Sequence, residues 1–272
     1  EPERFELLLT KLNAPRLAAH LLPRTRLYGL LDAGLRLPLT LVSAPAGYGK
    51  STLVASWLET TDHAKAWVSF DKSDDSLNVF LRYVVGAIRR AVPGSLEAAR
   101  QMLEVRERPL VSELVLRLVN DLETLDRDVI LVLDDLHMVR DSEVYDFLDQ
   151  MLRHPPRRLH LVILSRVDPA LSLPRLRTAA QLQEIRLADL QFTTDETSAM
   201  LAQDIGRTLE PGAIDDLNRL TEGWALGLHL AALSLRSQPD VAGFLAQVGG
   251  SGLRAEEFLL EEVLLRQPPE YQ

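Results

Sequence analysis

Residues 39–58 read LTLVSAPAGYGKSTLVASWL. An apolar run, Leu39 to Ala44, enters a loop with two glycines and leaves it through Lys50, Ser51 and Thr52 into a second apolar segment. Strand, loop and helix in that order is the context a phosphate-binding Gly-Lys-Ser loop requires. Such a loop turns sharply, so that successive backbone N–H groups point inward at phosphate oxygens. Gly47 and Gly49 permit the backbone angles, and the helix starting at Lys50 adds its positive dipole end. The residues that would form the cradle are Pro45, Ala46, Gly47, Tyr48, Gly49, Lys50, Ser51 and Thr52. Lys50 would pair with the β- and γ-phosphates, and the Ser51 hydroxyl would reach Mg²⁺. The usual first glycine is replaced by Ala44. A methyl group is accommodated there if Ala44, at the strand end, keeps ordinary β angles.

Outward from this loop, apolar runs alternate with helical patterns. VILVLDD (Val129 to Asp135) and LHLVILSR (Leu159 to Arg166) are nearly continuous, as are buried parallel strands covered on both faces. AWVSFD (Ala66 to Asp71) and LQEIRL (Leu182 to Leu187) mix polar and apolar positions, as edge strands do. Between them, Leu77 to Ile88, Leu114 to Leu125 and Val144 to Met151 carry apolar faces at helical spacing. The alternation predicts an α/β domain with a parallel sheet and right-handed crossovers. After Leu187 only helical patterns follow: one opened by Thr193 and Glu196 at capping-box spacing, then EPGAIDDLNRL, GWALGLHLAALSL and AEEFLLEEVLL. The expected division is a nucleotide-binding domain over residues 1–190 and a helical domain over 191–272.

Composition narrows the functional classes. The 272 residues are more than one compact core usually takes, and 46% are hydrophobic, ample for burial. A formal net charge of −9 argues against nucleic-acid binding through a basic surface. The absence of cysteine removes disulfides and thiolate metal sites and suits a reducing cytoplasm. No apolar run approaches the roughly 18 residues of a membrane span, so no membrane partner is expected. The first residue is Glu1, which suggests a fragment of something longer.

The loop needs partners, and the sequence offers them at strand ends. Asp134 and Asp135 close the apolar run VILVL. Asp134 would hold Mg²⁺, directly or through water, and Asp135 would orient or deprotonate the attacking water, with Asp71 the fallback base. Arg166 leaves the next buried strand at the same sheet edge, where it could sense a γ-phosphate. No Asn/Thr-Lys-x-Asp base-reading motif is present, which favours ATP over GTP.

Eight blocks, among them TKLNAPR, LLPRTRL, WVSFDKSDDSLNVFLRYVVGAI, LVLDDLH and TEGWALGLHLAAL, occur in the order seen in MalT-like regulators. These are large ATP-binding activators of the LuxR family, within the STAND class of signal-transduction ATPases, and the chain resembles them over almost its whole length. The resemblance implies a P-loop NTPase with a five-stranded parallel sheet of order 5-1-4-3-2, followed by a small helical domain, with the start of a winged-helix region cut off at the C-terminus. It implies ATP or ADP with Mg²⁺, a closed ADP-bound monomer, and self-association after inducer binding and exchange for ATP. It makes Leu22, Pro23 and Arg24 the adenine-wrapping segment, and Arg177 (or Arg175) a phosphate-contacting arginine. GWA, Gly223 to Ala225, falls where many STAND proteins carry Gly-x-Pro; without the proline, Trp224 could equally be a core anchor. DNA contact would come only through a C-terminal helix-turn-helix outside this chain. Two other readings share these residues: a cycling motor of the AAA+ type, and a module that holds ADP without hydrolysing ATP.

Overall fold

The computed structural model describes residues 6–104, 110–237 and 240–250. The helical pattern AEEFLLEEVLL lies outside the described residues. The chain forms two compact units. The first takes the residues up to Leu17, Thr25–Pro45 and Lys50–Arg186; the second takes Ala18–Arg24, Ala46–Gly49 and the chain from Leu187 on.

The first unit is built on five parallel strands: β1 (Leu39–Ser43), β2 (Ala64–Ser69), β3 (Val129–Asp134), β4 (Leu159–Ser165) and β5 (Leu182–Ile185). Their order is β2-β3-β4-β1-β5, the 5-1-4-3-2 arrangement read from the other side. Among the described residues these α-helices accompany them: α1 (Thr25–Gly34), α2 (Lys50–Leu58), α3 (Leu77–Ala91), α4 (Glu97–Glu104), α5 (Val111–Glu123), α6 (Ser142–Met151) and α7 (Leu173–Thr178). Every residue of β1, β3 and β4 is buried, which is why their sequences are continuous rather than alternating. Register pairs Ser43 with Ser165 and Ser69 with Asp134. The segments after β1, β3 and β4 therefore leave from one sheet edge, the place where open α/β sheets bind ligands. The core joins strand residues such as Leu131 and Ile163 to the apolar faces of α3, α5 and α6, with Phe80 stacked on Phe70 at 5.1 Å.

Two strand ends differ from expectation for local reasons. β2 ends at Ser69 rather than Asp71 because Asp71 caps a 3-10 turn, accepting from the Ser73 N–H. β5 ends at Ile185, where Arg186 turns aside to pair with Asp168 and Glu184. Lys11 pairs with Asp71 at 2.8 Å and with the buried Asp74 at 2.7 Å.

The second unit holds α8 (Leu187–Leu190), α9 (Thr194–Ile205), α10 (Pro211–Thr221), α11 (Ala225–Ser237) and α12 (Val241–Gly250). Its core includes Leu201, Leu217, Leu228 and Leu235. The capping box at α9 forms as its spacing predicts: Thr193 Oγ accepts from the Glu196 N–H, and the Glu196 carboxylate accepts from the Thr193 N–H.

Candidate functional site

At the C-terminal edge of the first unit, β1 hands over to the loop without a break. The Ala44 N–H continues the ladder to the Ser165 carbonyl at 3.3 Å, and Ala44 is not among the described residues with positive φ. The alanine is thus compatible with the turn. Gly47 and Gly49 take up the left-handed torsions, φ +80° and +76°, that an L side chain would resist.

Lys50, the first residue of α2, is buried, with 8% of its surface exposed. Its ammonium donates to the carbonyls of Ala44 (2.7 Å) and Pro45 (2.9 Å). Burial lowers its pKa, as does Arg166, while Asp135 and Asp134 pull the other way. One residue on, Ser51 Oγ donates to Asp134 Oδ1 at 2.9 Å. Asp134 is itself buried, at 6% exposure, and its pKa is pushed up to about 6, chiefly by desolvation and further by the neighbouring Asp135. Both ionisable groups thus sit where their charged forms are poorly solvated, a pattern concentrated at functional sites.

Asp135 breaks from the strand in the left-handed region, φ 53°, ψ 36°. That is an uncommon torsion for a residue with a side chain, and it leaves the carboxylate 43% exposed. Beside it stands His137, to which the sequence reading gave no role although it completes the quoted block LVLDDLH. Its Nδ1 lies 3.8 Å from Asp135 Oδ1 and is buried without a hydrogen-bond partner. Burial lowers its pKa, with Arg166 and Lys50 adding to the effect against the pull of Asp135. Burial therefore favours the neutral imidazole. Arg166 follows β4 directly, is exposed, and contributes its positive charge to this cluster.

The other candidate arginines are engaged elsewhere. Arg177 is exposed and makes a two-pronged pair with Glu184, 2.8 and 2.9 Å. Arg175 donates to the Leu152 carbonyl and to Gln181. Asp71 pairs with Lys11, whose hydrogen bond holds its pKa down to about 2.

Within the second unit, Arg24 is buried and donates to the carbonyls of Leu190 (2.7 Å) and Gln191 (2.9 Å) and to the Glu196 carboxylate (2.7 Å), with its guanidinium 4.2 Å from the centre of the Phe192 ring. The guanidinium thus anchors its own segment. Leu22 packs against the helical core, and Pro23 is exposed. Trp224 is buried and donates from Nε1 to the Ala46 carbonyl at 3.1 Å.

A family model described as AAA ATPase domain matches residues 24–164. The chain belongs to this family. Over 95% of its length this AAA ATPase domain is 33% identical to the HTH-type transcriptional regulator MalT of Klebsiella pneumoniae, spanning 29% of that protein. Over 92% of its length it is 36% identical to the serine/threonine-protein kinase PknK of Mycobacterium tuberculosis, spanning 23% of it. The chain thus corresponds to about a quarter of each of these relatives. Among solved structures, a Signal Transduction ATPase with Numerous Domains carrying a tetratricopeptide repeat sensor, from Pyrococcus horikoshii, shares the fold with a TM-score of 0.65 at 15% identity, over 94% of this chain and 34% of that one. The sheet order and the phosphate loop agree with the AAA ATPase family: this is a P-loop ATPase domain similar to part of MalT, a fold that implies nucleotide binding, typically with Mg²⁺. Among the described residues no helix is long and apolar enough to cross a membrane.

Proposed function

We propose that the chain is the ATP- and ADP-binding switch of a larger MalT-like transcriptional activator of the cytoplasm, and that it hydrolyses ATP slowly. The observation that carries this reading is the Ser51–Asp134 hydrogen bond, which sets a hydroxyl and a carboxylate side by side next to Lys50. This oxygen pair suits Mg²⁺, which takes one or two protein oxygens and completes its shell with phosphate and water. Among the described residues no cluster of three or more His, Cys, Asp or Glu offers an all-protein cage. Bound between Ser51, Asp134 and the nucleotide, the ion would neutralise charge on the phosphates.

The chain's own residues supply the rest. The N–H groups of Pro45–Thr52 other than proline cradle the phosphates, and Lys50 exchanges its two carbonyl acceptors for phosphate oxygens. Asp135, its carboxylate partly open to solvent beside His137, orients the attacking water or takes its proton. Arg166 tests for a γ-phosphate. Leu22 and Pro23 are left to contact adenine, on a segment that Arg24 holds in place. In the whole protein, exchange of ADP for ATP would permit self-association, with promoter recognition by a separate helix-turn-helix.

The test is to denature the purified chain and identify the nucleotide released, then to measure ADP and ATP binding by calorimetry. ADP in the supernatant and binding that Lys50→Ala abolishes are the expected results. A chain that carries no nucleotide and binds neither would end this reading. Phosphate release separates the slow switch from a cycling motor, which would turn over many times.

A further inference from the structure

The segment Gly223–Leu226 and the loop residues Ala46–Gly49 belong to the same compact unit. Two donors from that segment meet two successive carbonyls of the loop. Trp224 Nε1 donates to the Ala46 carbonyl at 3.1 Å, and the Leu226 N–H donates to the Gly47 carbonyl at 3.0 Å. The fit is close. A Cβ on Gly47 would lie 2.5 Å from Trp224 Nε1, so the indole occupies the space that only glycine leaves open.

Peptide planarity turns these two contacts into a statement about the loop's donors. The Ala46 carbonyl and the Gly47 N–H share one peptide unit, as do the Gly47 carbonyl and the Tyr48 N–H. No cis peptide occurs among the described residues, and in a trans unit the carbonyl and N–H point in opposite directions. Holding the carbonyls of residues 46 and 47 fixes the direction of the N–H groups of residues 47 and 48. Those N–H groups are the ones a phosphate loop aims at its ligand.

We infer that Trp224, together with the Leu226 N–H, is a positioning residue for the phosphate loop: it reads the loop's carbonyls and thereby sets its phosphate donors before nucleotide arrives. The indole therefore acts on the phosphate end of the nucleotide through the backbone. This inference rests on the nucleotide reading above and goes beyond it by naming a residue that acts through the loop's backbone as a determinant of phosphate affinity.

Two substitutions divide the indole into its parts. Trp224→Phe keeps a ring and removes the donor. Trp224→His keeps a ring nitrogen at the place of Nε1 and removes the benzo ring. With nucleotide-free protein, ADP and adenosine affinities are measured by calorimetry, and folding by circular dichroism. Loss of one net hydrogen bond corresponds to about a fivefold to tenfold fall in ADP affinity in Trp224→Phe, with adenosine affinity unchanged and ADP affinity partly restored in Trp224→His. Unchanged ADP affinity in a folded Trp224→Phe protein would overturn the inference, and so would an equal loss for ADP and adenosine. Wild-type protein that fails to bind ADP would instead overturn the nucleotide reading. A measurement on the unaltered ring covers the case in which both variants unfold. The indole N–H resonance that survives both Trp57→Phe and Trp67→Phe should shift when ADP is added, and a stationary resonance refutes the coupling.

Discussion

Asp134→Asn should stabilise the nucleotide-free protein at neutral pH while weakening its Mg²⁺-dependent grip on ATP. The Asp134 carboxylate is buried, and desolvation raises its pKa from 3.8 to about 6 in the folded chain. A raised carboxylate pKa means that ionisation is less favourable in the folded state than in the unfolded one. Stability from this group is fully present below pH 3.8 and is lost as pH rises through about 6. At about 1.4 kcal/mol per pH unit, the ionised carboxylate costs the folded state about 3 kcal/mol above that range. Asparagine removes the charge and keeps the geometry. Both the Ser51 hydroxyl and the Asp135 N–H donate to the same oxygen, Oδ1, at 2.9 and 3.0 Å, and an amide carbonyl can accept both. Thermal melts of wild type and variant at pH 4 and pH 7.5 read the difference. The variant should match wild type at the lower pH and melt about 5 °C or more higher at the upper one. The Asp134 effect is isolated by the difference, because His160 titrates in both proteins. A variant less stable than wild type at pH 7.5, or a gap independent of pH, would refute the desolvation argument.

Lys50→Ala should abolish ADP and ATP binding in a protein that still folds; calorimetry on a folded variant with wild-type affinity would sink the site. Asp135→Asn should leave nucleotide affinity unchanged and slow phosphate release by a factor on the order of a hundred, the usual contribution of a general base; equal rates would move that role elsewhere. Arg166→Ala should reduce the preference for ATP over ADP, whereas Arg177→Ala, whose guanidinium is paired with Glu184, should leave it intact; competition titrations distinguish the two. His160 is buried with Nδ1 against the Leu37 carbonyl at 2.7 Å, and burial lowers its pKa to about 4. Its stability contribution is present above pH 6.5 and lost as pH falls toward 4, so His160→Gln should flatten the acid limb of the stability profile between those values.

The sheet was legible because burial on both faces leaves a plain mark: Leu39 to Ser43, Val129 to Asp134 and Leu159 to Ser165 have no position exposed to solvent. The capping box at Thr193 and Glu196 was legible because its two hydrogen bonds are local. What escaped was decided by contacts distant in sequence. Arg24 donates to the carbonyls of Leu190 and Gln191, 166 and 167 positions away, which nothing near it in the sequence announces. The pairing of Arg177 with both oxygens of Glu184, seven positions on, is likewise not announced by the sequence. Lys50 is expected to face phosphate, yet its ammonium is drawn inward by two loop carbonyls and the residue is buried. α4 buries only Ala99 and Leu103, too little apolar spacing to announce a helix.

Four residues at one sheet edge each depart from an ordinary rule of packing or backbone geometry. Asp74, buried elsewhere in the first unit, has a charged partner, Lys11, at 2.7 Å. At the edge, Lys50 is buried against neutral carbonyls, Asp134 is buried against a neutral hydroxyl, and Asp135 holds a left-handed torsion. His137 adds a buried nitrogen without a partner. Each feature raises the energy of the empty site, and packing alone gives no reason to keep it. A polyphosphate offers anionic oxygens to Lys50, and a divalent cation offers charge to Asp134, so the two desolvated groups are relieved by opposite halves of one metal–nucleotide ligand. Neither half should suffice: phosphate without cation adds negative charge near Asp134, and cation without phosphate adds positive charge near Lys50. The site is thus built for the pair, and ADP should bind more tightly with Mg²⁺ than without it in wild type, a difference that Asp134→Asn should shrink.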